Sequence, residues 1–416
     1  MLLSKKPEQF LPGGWPAFYN KASGCEIWTT DNKKYIDFSL MGVGTNILGY
    51  ANKKINKKVI QATKNSNVST LNSSDSNKLA KILVENHQWS KHCLFARTGA
   101  EANSIALRIA RAKSGKDGVA ICGYHGWHDW YLSSNLIKKN NLNKIHLSGL
   151  STVGIPKKLK GLTYPFNYND IQSFKKLILK SKNIGTVFME VRRNIEPKNN
   201  FLNEIKKICL KNKIVLIFDE CTSGFRENFG GLHKRYNVDP DIAVFGKSLG
   251  NGIPITSVLM KDGYFESAKS SFISSTFWSE NLGPVAAVET LNEMKKLKSW
   301  KIISRIGKDI KNFWTKMSKK YRIKIEITGI DSMPSFKFLS LNHEYYKNFI
   351  TQEFLKKKIL SSNVIYCCIN HKKFLNKYFF EFEKIFKKIK QFENGEKSIL
   401  SEIKYPLPNS SFQRLN

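Results

Sequence analysis

No apolar run in this sequence approaches the length of a membrane span, and the first ten residues, MLLSKKPEQF, lack the apolar core of a signal peptide. The expectation is a cytoplasmic protein with no membrane partner. Cysteine is sparse and odd in number: Cys25, Cys93, Cys122, Cys209, Cys221, Cys367 and Cys368, with no CxxC spacing. That argues against a disulfide framework and a zinc site, so no metal is expected and most of these thiols read as small buried hydrophobes. Acidic residues are few, 33 against 68 basic ones, giving a formal net charge of +35. No compact basic-aromatic motif of a nucleic-acid module accompanies that charge, which spreads as lysine over solvated faces. No nucleic-acid partner is therefore expected. Internal repeats are also missing.

With 41% hydrophobic residues, the chain can fill a large core and a smaller one. From about residue 60 to 290, strand-like runs alternate with helical patterns: Gly118–Cys122, Gly185–Glu190, Lys213–Phe218 and Asp241–Phe245. Alternation of this kind predicts an α/β domain with a mostly parallel sheet. Before it, Trp28–Asp37 reads as two strands around an Asp-Asn turn. After about Lys296 come helices and short strands, ending in a lysine-rich helix over Lys377–Gln391. The expected boundaries are 1–45 for an N-terminal segment, 46–295 for the large domain and 296–416 for a smaller α+β domain.

Two of the runs end in chemistry. Asp219 follows Lys213–Phe218, and Lys247 follows Ile242–Phe245. Ligands of open α/β sheets sit outside the carboxyl ends of strands, so both side chains are directed to one crevice. A carboxylate that can pair with a pyridinium nitrogen and a lysine that can form a Schiff base meet the needs of a pyridoxal phosphate enzyme.

The residues around the pair carry a resemblance. DECTSGFR (219–226), Asp239-Pro240-Asp241 and FGKSLGNGIP (245–254) are joined upstream by RTGAEAN (97–103) and YHGWHD (124–129), and downstream by STFWSENLGP (275–284). In order and spacing these resemble the class III (ω-type) aminotransferases, and within them the glutamate-1-semialdehyde 2,1-aminomutase branch. The resemblance implies the type I pyridoxal phosphate-dependent transferase fold, pyridoxal 5'-phosphate as cofactor, and a homodimer with shared active sites. Lys247 takes the place of the Schiff-base lysine and Asp219 that of the partner of the ring nitrogen. The alternative for Asp219 is a helix cap or turn residue.

Gly99 and Ala100 open a helix whose apolar positions Ala102, Ile105, Ala106 and Ile109 share a face, with Gly115 past its end. Its first N–H groups can hold the cofactor phosphate, unless this is an ordinary helix capped by Thr98. Tyr124 matches the aromatic that stacks on the cofactor ring. His125 beside it is either a cofactor neighbour or a hydrogen-bonded core histidine. Cys221 stands where the resemblance places a valine against the ring and reads as packing, and Glu220 follows on the opposite side as a structural residue. Thr276 matches a threonine that reaches the phosphate held by the other subunit; the alternative is a local backbone contact. The stretch from Gly154-Ile155-Pro156 to Asn167-Tyr168-Asn169-Asp170 resembles the aminomutase lid.

Two departures bear on the substrate. The family's Glu-Pro step is replaced by Glu190-Val191-Arg192-Arg193-Asn194, which brings two arginines to the substrate mouth and leaves Asn194 as the polar stand-in. No arginine precedes Arg97, so the carboxylate clamp of the aminomutase pattern is missing from the N-terminal segment. The reading is an aminotransferase that moves an amino group from an amino-acid donor to a keto or aldehyde group of a small biosynthetic intermediate. The alternatives are the intramolecular aminomutase reaction and, of another class, a non-catalytic protein of this fold or a basic binding protein. The presence of both Lys247 and Asp219 speaks against the last.

Overall fold

The computed structural model describes residues 6–136 and 150–408. The described residues divide into two compact units, one formed within Lys57–Asn292, the other by residues 6–56 together with residues 293–408. In the latter, the N-terminal segment makes an antiparallel meander of strands β1 (Tyr19–Ser23), β2 (Glu26–Thr29) and β3 (Lys34–Phe38). The turn between β2 and β3 needs a positive φ, which Asn32 supplies at 58°.

The Lys57–Asn292 unit is built on seven strands: β4 (His92–Ala96), β5 (Gly118–Cys122), β6 (Thr163–Pro165), β7 (Ile184–Glu190), β8 (Val215–Glu220), β9 (Ile242–Phe245) and β10 (Thr256–Met260). Their order is β4-β10-β9-β8-β7-β5-β6, and only β10 runs against the rest. Every residue of β5, β7, β8, β9 and β10 is buried. That is why β5, β7, β8 and β9 read as continuous apolar runs and not as alternating ones. The helix Gly99–Ser114 lays Ala102, Ile105, Ala106 and Ile109 on the sheet, in one core with Ile121, Phe188, Ile217 and Val244. Each large side chain so buried contributes about 1.5–3 kcal/mol. Gly115 ends this helix in the left-handed conformation, at φ 66°.

From β5 the chain steps outward to β6, then returns to the other side of β5 for β7 and proceeds to β8 and β9. The reversal places a topological switch point at the carboxyl ends of β5 and β7. Two expectations shift here. The strand expected over Lys213–Phe218 spans Val215–Glu220, because Lys213 takes a positive φ of 54° and the Ile214 N–H closes the preceding helix on the Cys209 carbonyl. The stretch compared with a lid is anchored in its second half: Thr163–Pro165 is the edge strand β6, and Phe166 N–H donates to the Ile121 carbonyl.

In the other unit β13 (Ile359–Ser361) joins β3 in parallel, and β11 (Ile325–Thr328) pairs with β12 (Ser335–Phe338). Helices Ser299–Tyr321, His343–Lys356 and Leu375–Glu393 enclose an aromatic core of Trp314, Phe336, Phe354, Tyr378 and Phe382. The one polar edge of Trp314 is met inside it, by a bond from Nε1 to the Tyr378 hydroxyl at 3.0 Å. All seven cysteines are free thiols, and all but Cys93 are buried. Cys25 and Cys368 lie beside His371, whose Nδ1 accepts from the Cys368 N–H while Nε2 donates to the Asp37 carbonyl. Both ring nitrogens are thereby engaged, and burial pushes the imidazole down to about 4.

Candidate active site

Successive residues of a strand face opposite sides of the sheet, so the last two residues of β8 part company. Asp219 is in register with Glu190 of β7 and Val244 of β9. Its Oδ1 accepts the Cys221 N–H at 3.0 Å, and its Oδ2 accepts Asn103 Nδ2 and His125 Nδ1, each at 2.9 Å. Burial raises the carboxyl's pKa, but the His125 hydrogen bond, the charges of His125 and Lys247 and the Cys221 N–H outweigh it and hold Asp219 below the ordinary carboxylate value. An ionised carboxylate offers about four acceptor directions. Three are taken, and the remaining one is on Oδ1.

Lys247 begins a short turn, Lys247–Gly250, directly past β9, at a φ of +43°. Its Nζ donates to Thr222 Oγ1 at 3.0 Å. Behind it, Cys221 is wedged between two glycines: a Cβ on Gly99 would lie 3.3 Å from the sulfur, and one on Gly246 3.4 Å. Burial, then the Asp219 charge, pushes the Cys221 thiol well above its ordinary value, so it acts here as packing.

The helix that starts at Gly99 is capped by a reciprocal box. Glu101 N–H donates to Thr98 Oγ1, and the Glu101 carboxylate accepts the N–H groups of Arg97 and Thr98. Among the described residues the Gly99 and Ala100 N–H groups make no hydrogen bond, so the cap leaves a positive helix end open. Gly126, at φ +100°, lies against it, and a Cβ there would sit 2.8 Å from the Ala100 methyl. Tyr124 donates its N–H to Glu190 Oε2 at 3.1 Å and meets Tyr131 edge-on. His125 is buried, stacked on Phe188 at 4.7 Å.

Thr276 is exposed at the start of the turn Thr276–Ser279. That turn is tied to the helix start: Arg97 donates to the Phe277, Trp278 and Glu280 carbonyls, and Trp278 Nε1 donates to Glu101. Beyond β7, Arg192 is buried with Nη1 on Glu196 at 2.7 Å, where the Tyr236 hydroxyl also donates. Arg193 and Asn194 are partly exposed just past it.

Lys247, Asp219, Cys221, Gly99, Tyr124 and His125 thus belong to one unit, around the carboxyl ends of β5, β8 and β9. Sequence reasoning passed over Asn103, Thr222 and Glu190 as holders of these groups. Asn103 carried a signal: it is the one polar residue among the buried positions of its helix.

The family model described as Aminotransferase class-III matches residues 12–393. The 3-aminobutyryl-CoA aminotransferase of Cloacimonas acidaminovorans is 30% identical over 383 residues, covering 88% of each chain. A glutamate-1-semialdehyde 2,1-aminomutase of Methanosphaera stadtmanae is 31% identical, over 85% of this chain and 88% of its own. Among solved structures, the FumI protein of Sphingopyxis sp. MTA144, in its PLP internal aldimine form, superposes with a TM-score of 0.82 at 21% identity, covering 95% of this chain and 94% of that one.

Proposed function

Because the chain belongs to the class-III aminotransferases, pyridoxal phosphate enzymes of the type I transferase fold, we propose that Lys247 and Asp219 carry an intermolecular transamination. The observation behind this assignment is the Asp219 carboxylate. It is buried, ionised and clamped by three donors, with one acceptor direction left over and two neighbouring atoms, His125 Nε2 and Asn103 Oδ1, buried without a partner.

These residues fit the cofactor. The open N–H groups of Gly99 and Ala100 suit its phosphate, Tyr124 its ring face, Asp219 its ring nitrogen and Lys247 its carbonyl carbon. When bound, the cofactor draws electrons from the substrate's α-carbon and carries the amino group from donor to acceptor. Asp219 holds the proton on the ring nitrogen, because a carboxylate with three donors is a weak base. Thr222 orients Nζ of Lys247, which must be neutral to attack a carbonyl and then takes and returns the proton at the α-carbon. Arg193 and Asn194 meet the substrate's polar groups, with Arg192 behind them on Glu196. Thr276 reaches the phosphate held by the other copy of a homodimer, and the protein works in the cytoplasm. Among the described residues no helix is long and apolar enough to cross a membrane.

The test is chemical. Borohydride reduction of the yellow holoenzyme should place a pyridoxyl group on Lys247, and a label on another lysine would sink the assignment. A strictly monomeric active enzyme in light scattering would remove Thr276 from its role. A second reading, the aminomutase, is favoured by relatives bearing that name. External donors such as glutamate should convert the enzyme to its pyridoxamine form with release of a keto acid. Conversion of glutamate-1-semialdehyde to 5-aminolevulinate without response to external donors would install the second reading instead.

A further inference from the structure

Asn103 is buried on the helix that begins at Gly99, at its fifth position. Its amide is oriented by what it faces. Nδ2 lies 2.9 Å from Asp219 Oδ2 and 3.1 Å from the His125 carbonyl, and both are acceptors. The NH2 group must face them, which strands Oδ1 without a partner in the interior. Leaving a buried acceptor unmet costs about 1–3 kcal/mol, so the site tolerates a defect to keep both donations.

From this we infer that Asn103 is a positioning residue for the reaction, acting through Asp219; the inference rests on the assignment of Asp219 made above. One amide ties together the helix whose start is open to an anion, the backbone that follows Tyr124, and the carboxylate at the end of β8. Its donation to Oδ2 fixes the carboxylate's rotation, so that the remaining acceptor direction on Oδ1 keeps one heading. A carboxylate held on that heading keeps its charge against a ring nitrogen and so keeps the nitrogen protonated. With Asn103 removed, Oδ2 keeps only His125, the carboxylate can swing and its hold on that proton weakens.

The experiment uses holoenzyme reconstituted with pyridoxal phosphate labelled with 15N in the ring, whose nitrogen chemical shift reports protonation directly. Asn103→Leu preserves size and favours the helix while removing both donors. The wild type should keep the protonated shift up to the alkaline limit of folding, and Asn103→Leu should lose it at a pH at least one unit lower. Asp219→Asn should lose it further, and the double variant should match Asp219→Asn, because residues acting through one group are not additive. If Asp219→Asn leaves the shift unchanged, the assignment of Asp219 falls and this inference with it. A shift that moves in Asp219→Asn but not in Asn103→Leu, with only the melting temperature lowered, overturns the role of Asn103 alone. Should Asn103→Leu fail to fold, Asn103→Ala is read the same way. If neither folds, the amide's role is the structural one and the inference is overturned.

Discussion

Two neighbouring carboxylates on β8 are finished in different ways. Glu220 accepts from the N–H groups of Leu232 and His233, from His233 Nδ1 and from the Ser223 hydroxyl. Those donors fill it. Burial works against its charge, yet His233, Ser223 and the backbone hold it below the ordinary value. Its histidine is complete as well, since His233 Nε2 accepts Trp89 Nε1 at 2.9 Å. Asp219 has three donors, one open direction and a histidine with a bare Nε2. Charge and depth are alike on the two faces. What differs is whether the protein itself completes the coordination, and the incomplete side is the one that suits a ligand.

The sharpest way to break this comparison is thermodynamic. Glu220→Ala strands four donors and should destabilise the cofactor-free protein by about 3–5 kcal/mol in chemical denaturation. Asp219→Asn should cost the cofactor-free fold far less. Equal losses would erase the distinction. The next effect is on rate: Asp219→Asn should still bind the cofactor while single-turnover transamination falls about a hundredfold, a barrier of about 2.7 kcal/mol. Near-normal turnover would return Asp219 to a structural role.

A third effect sits on the completed side. Burial pushes His87 down to about 3, and its Nε2 accepts the Gly231 N–H. The unfolded chain takes up a proton near pH 6.5 while the native state resists it until about 3, so stability should fall with acid across that window, by about 1.4 kcal/mol per pH unit for this group. His87→Gln should flatten that slope in urea titrations run between pH 6.5 and 5.5, above most of the range where the carboxylates respond. An unchanged slope would refute the buried neutral histidine. The smallest effect is expected at Thr222→Val, which removes the acceptor of Lys247 Nζ and should slow the proton-transfer step about fivefold to tenfold, roughly 1 kcal/mol, with stability nearly unchanged.

Much of this was legible in the chain. β7, β8 and β9 showed as apolar runs because they are buried on both faces, and Asp219 and Lys247 showed because they follow such runs. Edge strand β6 was hidden: three residues, one of them proline, carry no periodicity, and the glycines and lysines before them suggested a loop. Thr222 was quoted within a motif but had no visible role, since its contact depends on a backbone twist at Lys247 that no local pattern announces. The grouping of Cys25, Cys368 and His371 joins residues more than 300 positions apart, and spacing rules see only neighbours. Asn103 could have been found, as a lone amide in an apolar stripe.

The twist at Lys247 has a practical side. A side chain with a Cβ at a φ of +43° gives up about 1 kcal/mol or more that glycine would recover. A library of this protein sorted only for heat resistance would therefore drift toward glycine at the position proposed to supply the amine, and on that assignment its survivors would be sturdy and colourless. Engineering for thermostability here has to select on the yellow of the bound cofactor at every round.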